Sequence, residues 1–85
     1  MTYNRALNLL RHSGRLVAAN QALRAIAPLC ESDTEREFAL HTYKRRVDII
    51  CERRAVIDGR ANRAAEHVAK AARMLGTTVE AIRLD

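Results

Sequence analysis

SDTEREFALHTYKRRVDIICERRAVIDG, residues 32–59, is the stretch on which the fold turns. It opens with a helix start signal. Ser32 and Glu35 stand in the capping-box arrangement, the serine placed to accept from the backbone three residues on and the glutamate to reach back. Leu40, Tyr43, Val47, Ile50 and Ile57 then fall at helical spacing, with Phe38, Ile49 and Val56 on an adjacent strip. The stretch closes on Asp58-Gly59, a turn signal by composition. This predicts one long amphipathic helix beginning near Asp33 and running through Cys51. Arg54 occupies a stripe position where an apolar residue is expected, and its stem can cover apolar surface while the guanidinium reaches water.

Upstream, residues 4–27 read as another long helix, with Thr2 as its cap. Leu9, Leu16 and Leu23 recur every seven residues, and Leu10, Val17, Ala19 and Ile26 widen the same side. Gly14 inside that helix costs about 1 kcal/mol relative to alanine, which predicts a kink or a close helix crossing there. Pro28 stops it, because proline lacks the donor and disfavours helical geometry in the residue before it. Downstream, residues 60–75 predict a third helix with Ala61, Ala65, Val68, Ala72 and Leu75 on its buried stripe, and residues 79–84 a short fourth one. The expected fold is all-α, a single domain over residues 1–85. Two long amphipathic helices pack antiparallel and are followed by two shorter helices in a helical hairpin.

The core of such a fold is thin. Hydrophobic residues make up 48% of the chain, but alanine supplies much of that, with one Phe, two Tyr and no Trp. A chain of 85 residues with so little bulk is short of the size at which a monomer is comfortably stable, so a homodimer is expected. Cys30 and Cys51 are expected to be free. A helix from Asp33 through Cys51 carries the second cysteine about 27 Å along the axis, far beyond the roughly 7 Å that a disulfide tolerates.

Formal net charge is +5, distributed unevenly. Residues 1–29 carry +4 without an acid, residues 30–58 carry −1 and residues 59–85 carry +2. If the middle element folds back, the two basic ends meet on one face, an arrangement that suits a polyanionic partner. No uncharged apolar stretch of about 18 residues is present, so no membrane span is expected. Arginines and polar residues interrupt the apolar run near the start, unlike a secretory signal, and a cytoplasmic location is expected. His12, His41 and His67 lack the spacing to one another or to Cys and carboxylates that zinc binding or nucleophile activation requires. Gly14, Gly59 and Gly76 are too far apart for a phosphate loop. No catalytic, cofactor or metal site is assigned.

The remaining pattern is VAKAARMLGTTVEAIRLD, residues 68–85. Ala72 lies four positions before Gly76 of a Leu-Gly pair, Thr77 and Thr78 follow, and Ile82 lies six positions after the glycine. Each has a mechanical reason. Alanine lets helices approach closely, glycine accepts the left-handed conformation that ends a helix, a threonine can cap the next one, and an aliphatic residue locks it down. This spacing resembles the helix-turn-helix of DNA-binding proteins. The order of two long helices followed by two short ones is similar to the factor-for-inversion-stimulation family, whose long helices build a dimer and whose last pair binds DNA. The resemblance implies base-edge or phosphate contacts from Thr77, Thr78 and Arg83 at the start of a recognition helix, with Lys70 and Arg73 near the DNA backbone.

Two functions follow as expectations. The first is a small DNA-binding protein of the nucleoid or transcription-regulator type, using the C-terminal hairpin. The second is an all-helical module, such as a phage- or plasmid-type inhibitor or adaptor, that binds a host or regulatory protein. Glu80 and Asp85, which put negative charge where phosphates would approach, motivate the second.

Overall fold

The computed structural model describes residues 1–59 and 63–77, and these are helical throughout with short connections. Helix α1 spans Tyr3–Arg11, α2 spans Leu16–Ile26 and runs into a single 3-10 turn at Ala27–Leu29, α3 spans Asp33–Asp58, and α4 spans Ala64–Leu75. No strand occurs among the described residues. The expected fourth short helix at 79–84 lies outside them.

Helix α3 is the spine. Its capping box forms: the Ser32 hydroxyl accepts from the Glu35 N–H at 3.2 Å, while Glu35 Oε1 accepts from the Glu31 N–H, one residue further back than the expected return bond. Asp33 and Glu35 add negative charge to the first turn, where the helix dipole favours it. At the other end Gly59 takes the left-handed conformation, φ +64°, so the predicted turn is present. Helices α1, α2 and α4 all pack on this spine, and α1 also packs on α2. Tyr43 lies at the centre with Leu10, Leu23, Ile26, Leu40 and Val47, all essentially without solvent exposure. Its hydroxyl, the one polar atom of that side chain, reaches Asn20 Oδ1 at 2.5 Å, as a buried phenol must find a partner.

The single N-terminal helix expected over residues 4–27 is corrected to two. Thr2 caps α1 as expected, its hydroxyl accepting from the Arg5 N–H at 3.3 Å, but the chain leaves helical geometry after Arg11 and is extended at Arg15 (φ −133°, ψ 152°). Only α3 is long, so the pair of long antiparallel helices is not what builds this domain. The gain is a second buried stripe: Ala6, Leu7 and Leu10 on α1 and Ala19, Ala22, Leu23 and Ile26 on α2 all enter the core. Each large aliphatic side chain buried is worth about 1.5–3 kcal/mol, so Leu7, Leu10, Leu23 and Ile26 together outweigh the few helical bonds, about 0.5–1.5 kcal/mol each, that the break removes. Those bonds are also replaced. The Ser13 N–H and hydroxyl both donate to the Leu10 carbonyl, and Arg46 Nε on α3 donates to the Ser13 carbonyl. Leu9 and Val17, which a continuous stripe would cover, are 51% and 67% exposed.

Two smaller corrections concern register. On α4 the buried positions are Ala64, Val68, Ala71, Ala72 and Leu75, whereas Ala65 is exposed and Ala61 lies outside the described residues. In the long helix Ile57 belongs to the inner stripe by spacing but is 81% exposed, at the rim of an open cleft that it shares with Arg15 and Val17 of the α1–α2 corner. Both cysteines are free, Cys51 buried and Cys30 half-buried.

Candidate nucleic-acid interface

Of the residues expected to meet a nucleic acid, Lys70, Arg73 and Thr77 are described, and Thr78 and Arg83 lie outside the described residues. Lys70 and Arg73 are exposed on α4. The end of that helix is a full Schellman motif. Gly76 sits at φ +73°, its N–H donates to the Arg73 carbonyl at 3.2 Å, and the Thr77 N–H reaches back to the Ala72 carbonyl at 2.9 Å. The Leu-Gly turn that carried the resemblance is therefore formed, with Ala72 at the position that accepts the long return bond. Thr77 is half-buried and its backbone donor is spent on the cap.

The structure adds a cation that the sequence motif did not contain. A shallow cleft of about 270 Å³ between α2 and α4 is lined by Arg24, His67, Lys70 and Met74 over a floor of Asn20, Leu23, Tyr43 and Ala71. Among the described residues, no carboxylate lines it. Arg24 belongs to the acid-free first 29 residues and Lys70 to the basic last part, so the two basic ends of the chain do meet here, as the charge distribution suggested. Arg24, Lys70 and Arg73 make no ion pair among the described residues, and the nearest acid along α4, Glu66, faces Arg63 at 3.9 Å with both side chains well exposed. Arg24 was missed as a site residue because its neighbour across the cleft is 46 positions away in sequence, and only the absence of acids from residues 1–29 hinted at it.

A second basic cleft, of about 300 Å³, lies between the end of α1 and the outer side of α3. Arg11, His41, Arg45 and Arg46 line it with Phe38, Thr42 and Ile49. Two of its cations have structural employment: Arg11 lies 5.7 Å over the Phe38 ring, and Arg46 holds the Ser13 carbonyl. In the α2–α4 cleft, by contrast, neither Arg24 nor Lys70 makes an ion pair or a side-chain hydrogen bond among the described residues.

No protein-family model, curated protein or solved structure matches this chain. Its function has to be read from its own groups. Burial pushes the Cys51 thiol up, with a further push from Asp48 and opposition from Arg54, and burial and then Glu35 do the same for Cys30. Neither thiol has the lowered pKa of a nucleophilic cysteine. Tyr3 and Tyr43 are likewise raised, chiefly by burial, and each hydroxyl donates within the fold, Tyr3 to the Glu35 carbonyl at 2.9 Å. Among the described residues, no three His, Cys, Asp or Glu side chains converge in a way that could hold a metal, and no buried side-chain nitrogen or oxygen lacks a partner. No described helix is long and apolar enough to cross a membrane.

Proposed function

We propose that this chain is a small DNA-binding protein of the nucleoid or transcription-regulator type, working as a cytoplasmic homodimer. The carrying observation is the α2–α4 cleft, lined by Arg24 of α2 and Lys70 of α4 and by no carboxylate among the described residues, with Arg73 one turn further along α4. Such an edge neutralises phosphates without reading bases, so it supplies affinity and orientation. Sequence preference is left to the segment after Gly76, where Thr77, Thr78 and Arg83 are the proposed readers. The fluorescence anisotropy of a labelled duplex, titrated at several ionic strengths, tests the reading. Binding that weakens steeply with salt is expected from counterion release. No binding to any duplex at micromolar protein and low ionic strength would sink it.

The second reading, a module that binds a host or regulatory protein, is favoured by one observation. Val17, Val56 and Ile57 are 67%, 79% and 81% exposed near the C-terminal end of α3, beside Arg15, Arg53 and Arg54. A stoichiometric protein partner lost on Val56→Ser and Ile57→Ser substitution, together with absence of duplex binding, would establish it over the first.

A further inference from the structure

Helix α3 is apolar on two opposite sides, the strip expected beside the inner stripe lying across the helix from it. The side bearing Leu40, Tyr43, Val47 and Ile50 faces the other helices, while Phe38, Ile49 and Val56 lie roughly 150° round the axis at about 100° per residue. These three are 45%, 41% and 79% exposed, with the Arg11 guanidinium over the Phe38 ring. Their spacing is heptad-like: Thr42, Ile49 and Val56 form one set of seam positions and Phe38, Arg45 and Glu52 the other. The seam is thus apolar at its ends and near its middle, with one positive and one negative residue set into it. Arg45 and Glu52 are both exposed and make no ion pair among the described residues.

We propose that a second copy of this chain covers this strip, the two α3 helices pairing antiparallel with the two-fold axis beside Val47. The charges select the occupant and its direction. In a parallel pair in register, Arg45 would face Arg45 of the partner subunit and Glu52 would face Glu52 of the partner subunit, opposing like charges twice. Turning one helix over places Phe38 against Val56 of the partner subunit at both ends of the seam. It also brings Arg45 within about 4.5 Å, along the axis, of the partner's Glu52, closer than the partner's Arg45 at about 6 Å, for about 1.5 Å of rise per residue. Both pairings occur twice by symmetry, so the strip is its own complement, as an isologous interface must be. The proposal deepens the dimer stated above by naming its surface and direction, and it does not depend on DNA binding.

Sedimentation equilibrium without DNA tests it, using the wild-type chain, Arg45→Glu, Glu52→Arg and the double swap, each checked for helical content by circular dichroism. The wild type is expected to dimerise. Each single swap weakens the dimer by about tenfold or more, and the double swap restores it, because only the pairing between unlike positions is regenerated. Monomeric wild type at about 100 µM overturns this interface and the dimer together. A dimer indifferent to the single swaps, or one that the double swap fails to restore, overturns this interface while leaving dimerisation intact. Duplex binding is read separately, since Arg24, Lys70 and Arg73 are untouched in every variant.

Discussion

Gly76 is the residue whose conformation the turn cannot do without. At φ +73° it lies in the region that side chains with a Cβ avoid, yet nothing stands within 4 Å of where a Cβ would be. The cost of substitution is therefore conformational rather than steric. Gly76→Ala should destabilise the chain by about 1 kcal/mol in urea unfolding, and Gly76→Asn should recover part of that, since asparagine tolerates the left-handed region. The buried titratable groups make a second prediction at this scale. Cys30, Cys51, Tyr3 and Tyr43 all hold their protons more tightly folded than their ordinary values allow, mainly because burial penalises the charged form. The unfolded chain then releases those protons first as pH rises. Stability from these groups is complete below about pH 9 and declines as pH climbs through the raised folded values. A thermal midpoint that holds steady to about pH 8.5 and falls beyond about pH 9 is expected, and a rise across that window would contradict it.

The elements differ in how much of each was legible beforehand. The start of α3 was legible because a cap is local chemistry: Ser32 and Glu35 lie three residues apart and act within one turn. Ser32→Ala should cost about 1 kcal/mol in the unfolding free energy, and a change under about 0.3 kcal/mol would mean that Glu35 alone holds the helix start. The Gly59 and Gly76 turns were legible for the same reason. The break between α1 and α2 was not. Gly14 marked the place, but whether a helix bends or doubles its buried stripe there depends on a partner surface that only α3 supplies. Alanine blurred α4 in another way. Neighbouring alanines at 64 and 65, and again at 71 and 72, carry almost no phase, so the stripe was displaced at one end and one alanine was missed. Ile57 was misread because periodicity reports which side of a helix a residue occupies and says nothing of how closely a neighbour covers it.

For the whole molecule, the charge imbalance of the first third was plain in the sequence, and its meeting with the last third was an expectation that Arg24 and Lys70 now meet. What sequence could not supply was which arginine would be there, because that follows from how α2 and α4 stand beside one another on α3. The proposed interface makes a graded prediction. Arg24→Gln, Lys70→Gln and Arg73→Gln should each weaken duplex binding across unrelated sequences and lower the salt slope by about 0.9 for every phosphate no longer neutralised. A variant that loses affinity for one sequence only would place that residue at a base edge. Unchanged slopes in all three would remove this edge from the interface.

The bond from Arg46 to the Ser13 carbonyl makes the break between α1 and α2 conditional on α3. The two residues are 33 apart in sequence, so the carbonyl that the break frees has its donor only where the long helix is docked. An interruption at Gly14 is therefore a property of the assembled domain and not of residues 4–27 alone.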